Sequence, residues 1–288
     1  MSNGRLRPRA LTAALAAALL LGVAVAAPAA AITDGTRDTE HPYVGLMTAH
    51  AEDGDYLWRC TGTLISPTVF VTAGHCTEEP AAYALVFFSD EIIVPDPETL
   101  NWTDPDNRYC DGIEGYPCGD ANELAVTGEV YTHPQYDPDA FFLHDLGVVV
   151  LDEAVEFEEY GALPGLNQLD SLKPSRHTRF TSVGFGLQKS FPDAAAWKDV
   201  GVRVRLVAHP HLIQINRGLV GDFAILLSNN ANTGGTCFGD SGGPNFIGDT
   251  NVIAGVTSFG LNPTCGGTGG VYRIDRADDL EWLATFLD

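Results

Sequence analysis

The sequence has few basic residues, since 16 lysines and arginines stand against 38 aspartates and glutamates, for a formal net charge of −22. Such a surface repels polyanions, which argues against a protein that binds nucleic acid or an anionic membrane surface. After the first 31 residues, no apolar run is long enough to span a bilayer. The sequence also lacks CxxC and Cys/His metal-ligand spacing, internal repeats and low-complexity segments.

No histidine follows Ser241, and this absence restricts how the segment GTCFGDSGGPNF, residues 235–246, can act. Its GDSGG satisfies the G-x-S-x-G pattern of the nucleophile elbow, in which an acid and then a histidine follow the serine along the chain. All eight histidines precede Ser241, so an elbow-type triad has no base. The two other known triad orders place the histidine ahead of the serine, and these remain open.

The N-terminus is typical of a secretory signal peptide. Arg5, Arg7 and Arg9 precede an Ala/Leu/Val-rich run, and small residues end at Ala31. We therefore expect residues 1–31 to be removed and the protein to be secreted and extracellular; an uncleaved membrane anchor is the alternative. Cleavage after Ala31 removes three of the 16 basic residues and no acidic one, which leaves 257 residues with a formal charge of −25.

The six cysteines form three local pairs in the sequence, and an even number in an exported chain predicts three disulfides. Six cysteines allow fifteen possible connectivities. Local pairing gives Cys60–Cys76, Cys110–Cys118 and Cys237–Cys265.

Short runs rich in Val, Ile, Phe and Thr recur between Gly, Pro and Asp clusters, a spacing typical of an all-β sandwich or barrel. They include YVGLMTAH, AYALVFF, LGVVVL, FAILLS and NVIAGVTSFG. One helix is predicted, at the C-terminus, where Leu280, Leu283, Ala284 and Leu287 follow helical spacing. Residues 89–120 are acidic and rich in Pro and Gly, which predicts an inserted surface loop.

Ordered motifs make the chain resemble the chymotrypsin-type serine proteases. They are TAGHC at 72–76, HDLGVVVL at 144–151, GDSGGP at 239–244, SFG at 258–260 and GGVY at 269–272, followed by the terminal helix. The resemblance implies two antiparallel six-stranded Greek-key β-barrels and a C-terminal helix. The peptidase domain would span 32–288, with the first barrel at about 32–160 and the second barrel with the helix at about 161–288.

The resemblance also implies a triad of His75, Asp145 and Ser241 between the barrels. A serine hydroxyl is a poor nucleophile until a base takes its proton, which would be the role of His75. Asp145 would hold the imidazole in the correct tautomer. The amides of Gly239 and Ser241 would form the oxyanion hole. His133 and His144 are not expected to belong to the triad.

Family resemblance further implies an activation ion pair. In the family, a new N-terminal ammonium, usually of Ile or Val, pairs with the aspartate before the serine; here these are Ile32 and Asp240. Because Ile32 follows the predicted cleavage site, signal cleavage alone would release this ammonium. Cleavage a few residues upstream would instead leave a short pro-segment that an activating protease must remove.

The substrate-binding residues implied by the resemblance carry no charge. Gly235 takes the position at the pocket base where trypsins carry an aspartate, so the pocket lacks a partner for Arg or Lys. Glycine at the narrow points predicts cleavage after large apolar or aromatic residues. The expected substrate-binding set is Gly235, Thr236, Phe238, Ser258, Phe259, Gly260 and Gly270.

No cofactor is required by this interpretation, and the expected partners of the monomer are protein or peptide substrates. Asp90, Glu91, Asp96, Asp104 and Asp106 offer hard oxygen ligands for calcium, but their spacing matches no calcium motif, and a solvated loop is the favoured explanation. Two alternatives compete with a protease: a catalytically silent homologue that acts as a binding protein, and an esterase that uses the same triad.

Overall fold

The fold is described from a computed structural model that covers residues 32–92, 125–188, 203–262 and 264–287. Sixteen strands and one α-helix are defined in these ranges. In chain order they are β1 (Thr36–Arg37), β2 (Val44–His50), β3 (Tyr56–Leu64), β4 (Val69–Thr72), β5 (Tyr83–Phe87), β6 (Glu91–Ile92), β7 (Ala125–Thr132), β8 (Gly147–Leu151), β9 (Ser175–Gly184), β10 (Arg203–Val204), β11 (Leu206–Ala208), β12 (His211–Ile215), β13 (Ala224–Asn229), β14 (Pro244–Ile247), β15 (Ile253–Gly260), β16 (Gly267–Arg273) and α1 (Ala277–Ala284).

Six antiparallel strands close the first barrel in the order β2-β3-β4-β8-β7-β5. Its interior is filled by aliphatic and aromatic side chains such as Met47, Phe70 and Val149, all fully buried. Every residue of β2 is buried, which requires cover on both faces of that strand. Leu46 supplies one such contact, because it packs with Phe185 of the second half of the chain.

The second barrel runs in the order β9-β12-β13-β16-β15-β14 and is closed by pairing between β14 and β9. Its core includes Phe180, Ile225 and Val271. Strands β11 and β1 extend the sheet beyond β9, so the chain directly after Ile32 belongs to this barrel. The two closed barrels and the terminal helix confirm the predicted fold class.

The terminal helix presents a different face from the one that leucine spacing predicts. Leu283 is buried, but Ala284 and Leu287 are exposed. Trp282 and Phe286 make the other packing contacts of the helix, against the first barrel. Aromatic rings bury more surface than leucine or alanine side chains, so they determine which face docks. Among the described residues, no helix is long and apolar enough to cross a membrane.

Candidate active site

His75 and Asp145 meet because they extend from neighbouring strands. β4 and β8 are antiparallel, with Thr72 opposite Gly147, so the residues just beyond that pair lie side by side. His75 lies in a 3₁₀ turn after β4, and Cys76 in the same turn is bonded to Cys60 on β3. The turn is therefore attached to the barrel on both sides of the histidine.

The carboxylate of Asp145 is fully buried and fixes the His75 ring. His75 Nδ1 lies 3.0 Å from each carboxylate oxygen, and the His75 backbone N–H donates to Oδ1 at 2.9 Å. Ser258 Oγ donates to Oδ2 at 2.5 Å. Because Nδ1–H is directed at the carboxylate, Nε2 of the neutral ring is the nitrogen that can accept a proton. Ser258, predicted as a substrate-binding residue, thus also orients the acid.

The electrostatic balance at His75 favours its protonated form. Burial lowers the pKa of His75, but the negative charge of Asp145 and its hydrogen bond outweigh this effect. The net result is a pKa above the ordinary value for histidine. Because Asp145 stabilises the imidazolium, this geometry assists a histidine that accepts a proton during a reaction.

Ser241 lies in a tight turn that leads into β14. Gly239 adopts φ +94°, a left-handed conformation that side chains disfavour. Within the described part of the chain, neither the Gly239 nor the Ser241 amide donates a hydrogen bond, and the Ser241 hydroxyl makes none. These groups are consequently available to a ligand.

Thr61 on β3 holds this turn from the first barrel. Its N–H donates to Ser241 O at 2.8 Å, and its hydroxyl donates to Gly239 O at 2.8 Å. Sequence reasoning missed Thr61, because its two partners in this turn are 178 or more positions away and nothing local marks it.

His75 and Ser241 line one cavity of about 560 Å³. Five of the predicted substrate-binding residues also line it: Thr236, Phe238, Ser258, Phe259 and Gly260. Among the described residues that line it, none carries a carboxylate. Residues that sequence reasoning missed are Phe141, Thr257, Leu261, Asn262 and Thr268.

Gly235 and Gly270 do not line the cavity. A side chain at Gly235 would collide with the buried Asn229, and one at Gly270 would collide with the ring of Phe259. Side chains alternate along a strand, so the glycine before Gly270 faces the other way. A Cβ at Gly269 would lie 2.8 Å from Oγ1 of Thr236, which lines the cavity although Gly269 itself does not.

Ile32 and Asp240 are both fully buried in the second half of the fold. Ile32 packs with Leu206 and Ala208, and the next residue, Thr33, pairs with Gly235 through two backbone hydrogen bonds of 2.9 and 3.1 Å. Burial raises the pKa of Asp240 to about 7. Backbone N–H bonds from Cys237 and Gly186 offset part of that effect, as does the charge of Arg59.

His133 and His144 stack behind the acid, with ring centroids 5.2 Å apart. Together with Asp279 they present ligand atoms within 4.8 Å of one another. However, His133 Nδ1 accepts a hydrogen bond from the Gln135 amide at 3.2 Å, so in the neutral ring Nε2 carries the proton. Because a metal needs an unprotonated nitrogen, this arrangement suits a structural contact with α1 better than a metal site.

Two of the predicted disulfides, Cys60–Cys76 and Cys237–Cys265, are formed. Cys110 and Cys118 lie outside the described residues, as do the predicted signal peptide and the calcium candidates Asp96, Asp104 and Asp106. The other two calcium candidates, Asp90 and Glu91, pair with Arg37 at 3.1 and 2.8 Å.

Comparisons with known proteins find a family model and similar curated proteins. A family model described as Trypsin matches residues 117–279, a range that contains Asp145 and Ser241 but not His75. CLIP domain-containing serine protease B14 of Anopheles gambiae is 25% identical over 269 residues, which cover 86% of this chain and 70% of that protein. Collagenase of Hypoderma lineatum is 20% identical over 234 residues, covering 78% and 74%.

Solved structures share the fold. The structure of HL collagenase has a TM-score of 0.62 at 20% identity, covering 88% of this chain and 97% of that one. Human heparin binding protein has a TM-score of 0.61 at 18% identity, covering 89% and 96%.

Proposed function

Because the chain belongs to the trypsin family, we propose that it is a secreted serine endopeptidase that cleaves peptide bonds through His75, Asp145 and Ser241. The observation that carries this proposal is the placement of the His75 ring, which Asp145 holds at 3.0 Å while the same ring faces a cavity shared with Ser241. The two disulfides support an oxidising, extracellular location.

In the proposed mechanism, His75 Nε2 takes the proton of Ser241 as the hydroxyl attacks the scissile carbonyl. The imidazolium then protonates the leaving amine, and water hydrolyses the acyl-enzyme with His75 again as base. The free amides of Gly239 and Ser241 stabilise the oxyanion of each tetrahedral intermediate. The raised pKa of His75 supports the base role, because it reflects stabilisation of the imidazolium by Asp145.

The substrate backbone is proposed to add as a strand along residues 258–260. β14 pairs with β15 only as far as Val256, while Phe259 and Gly260 pair with β16 on the opposite edge. Thr257 bonds Gly242 and Gly243 through its C=O and N–H. Beyond Thr257, no described strand pairs with that edge, which lies beside the cavity. An extended peptide can bind such an edge through its main chain, with side-chain pockets setting specificity.

The cavity lining supports a preference for large apolar or aromatic residues before the scissile bond. Leu261, Phe259 and Phe141 supply apolar surface, and the described lining residues include no carboxylate to hold Arg or Lys. The test is kcat/KM on peptide amides that differ only in that residue: Phe, Leu, Ala, Arg and Glu. We expect Phe or Leu to be preferred; a preference for Arg would refute the proposed specificity.

Gly269→Val should disturb the same pocket through Thr236, which lines it. The added atoms meet Thr236 Oγ1, so we expect kcat/KM for the Phe substrate to fall about 10- to 100-fold and the value for the Ala substrate to fall less. Gly266→Val is the matched control, because the nearest atom to its new Cβ lies 3.9 Å away. Equal losses for Phe and Ala substrates would show that displacing Thr236 does not change the side-chain pocket.

Activation is proposed to follow from cleavage after Ala31. In the full chain the Ile32 nitrogen is part of a peptide bond, and the buried Asp240 has a pKa near 7. A free ammonium at Ile32 would supply the positive charge that lowers this pKa and would order the turn that carries Gly239 and Ser241. The burial of Ile32 and the pairing of Thr33 with Gly235 support this arrangement.

A chain that begins two residues before Ile32 should therefore be weakly active. We expect kcat/KM to fall about 10²- to 10³-fold relative to a chain that begins at Ile32, the loss typical of an unformed oxyanion hole.

The free energy of unfolding of the extended chain should also decrease from about pH 4 to about pH 7, because Asp240 ionises first in the unfolded state while the folded state keeps its proton. In the chain that begins at Ile32, Asp240→Asn removes the charge pair and should cause the same loss of kcat/KM. Equal activity of the two chains would contradict the activation pair.

A catalytically silent homologue is the second candidate, favoured by the likeness to human heparin binding protein. Heparin itself is an unsuitable ligand, because a polyanion is repelled by a chain of formal charge −22. An esterase remains the third candidate. Hydrolysis of peptide amides separates the proposed function from both.

A further inference from the structure

The side chain of Thr61 is fully buried between the two barrels and uses both hydrogen-bonding capacities of its hydroxyl. The hydroxyl donates to Gly239 O at 2.8 Å and accepts from Phe185 N at 3.1 Å. The residue after Phe185 is Gly186, whose amide holds the Asp240 carboxylate at 2.7 Å. One hydroxyl therefore joins the segment that binds Asp240 to the turn that contains Gly239.

The bond to Gly239 O is important because of what that carbonyl controls. It belongs to the peptide that links Gly239 to Asp240, so fixing the carbonyl restrains the rotation of Gly239. Gly239 has φ +94°, and as a glycine it can leave that conformation readily. Rotation there would re-aim the Gly239 amide away from the position of an oxyanion.

Backbone bonds already restrain the peptides on either side of Gly239, since Leu187 N donates to Phe238 O at 2.8 Å and Asp240 N donates to Cys237 O at 3.0 Å. Neither of these bonds reaches Gly239 O itself. Within the described residues, Thr61 Oγ1 is the group that binds Gly239 O. The Thr61 methyl also lies against Gly243, where an added Cβ would be 3.1 Å away, so the hydroxyl has little freedom to turn elsewhere.

We propose that Thr61 is a positioning residue: its hydroxyl, supplied by the first barrel, holds the Gly239 amide in the orientation that binds an oxyanion. The consequence for catalysis rests on the proposed peptidase function, but the ordering of the turn does not. Thr61 touches no substrate in this scheme and acts through Gly239.

The matched variants are Thr61→Val and Thr63→Val. Both residues are fully buried on β3 and two positions apart, and valine keeps the shape of threonine in each case. The Thr63 hydroxyl has no hydrogen-bond partner, so its loss removes no bond. Thr61→Ser keeps the hydroxyl and tests whether the hydroxyl alone is enough to keep the turn ordered. Thr61→Ala is a second hydroxyl-free variant in case valine prevents folding.

Hydrogen exchange of residues 237–243 tests the ordering without reference to activity. We expect Thr61→Val to exchange about two- to tenfold faster there, the factor expected for one lost hydrogen bond, with Thr61→Ser and Thr63→Val close to wild type. Unchanged exchange in both hydroxyl-free variants, or equal acceleration in Thr63→Val, would overturn the proposal even if the wild type proved inactive.

Kinetics then test the consequence. In an active enzyme, Thr61→Val should lower kcat about 10- to 100-fold with little change in KM, since a donor lost completely costs about 10²- to 10³-fold. Affinity for a peptide aldehyde, which forms an oxyanion, should fall in parallel, while affinity for the product peptide should not. A rise in KM with unchanged kcat would show a substrate-binding role instead and refute the assignment. An inactive wild type with the expected exchange pattern would refute the proposed function and retain the positioning role.

Discussion

Replacement of Ser241 by alanine should lower kcat for peptide amides by about 10⁵- to 10⁶-fold. The variant keeps the cavity and the two free amides but loses the hydroxyl that transfers its proton to His75 and attacks the carbonyl. Removing the nucleophile of a serine triad costs about as much as removing the whole triad, because its members act as one unit. The residual rate comes from binding and from the oxyanion hole alone.

The measurement is single-turnover hydrolysis of the best amide substrate, with Ser171→Ala as the control because Ser171 is exposed and far from the cavity. Ser171→Ala should match the wild type. Amide hydrolysis that survives Ser241→Ala would assign the activity to another group or to a contaminant. Ester hydrolysis without amide hydrolysis in the wild type would favour the esterase alternative.

The fold class is predictable from sequence because β-branched runs mark the strands that fill each barrel. YVGLMTAH, AYALVFF and LGVVVL correspond to β2, β5 and β8. Strands β14 and β16 are not marked in this way. β14 begins with Pro244, and β16 contains three glycines, which are poor strand formers. These segments form strands because β14 pairs with β9 and β15, and β16 with β13 and β15.

The candidate triad is predictable for a different reason. Its residues lie far apart in sequence, but each is embedded in a local motif that the family resemblance makes specific. The residues that face the pocket are harder to predict from sequence, because GTGGVY contains adjacent glycines. A shift of one residue turns a side chain to the opposite face of a strand. Only the structure shows that Gly269 faces Thr236 while Gly270 faces Phe259. Thr61 carries no motif, and its role depends on contacts across the barrels.

Asp145→Asn should lower kcat by about 10⁴-fold, the second largest loss we expect. Asp145 is surrounded by donors: the His75 backbone N–H, His75 Nδ1–H and the Ser258 hydroxyl. An amide at this position presents an NH₂ group that cannot accept. His75 Nδ1 would then become the acceptor, which leaves the proton on Nε2 and removes the base that Ser241 needs.

The pH dependence of kcat/KM provides the check on this argument. His75 must be neutral to act as a base, so activity should rise with pH through its pKa. Asp145 holds that pKa above the ordinary histidine value despite burial, and the amide removes the charge responsible. The midpoint in Asp145→Asn should therefore shift to lower pH while the plateau falls. Ser258→Ala keeps the charge and should leave the midpoint nearly unchanged. A midpoint that stays in place in Asp145→Asn would mean that a group other than His75 limits the rate, and would remove the main support for His75 as the base.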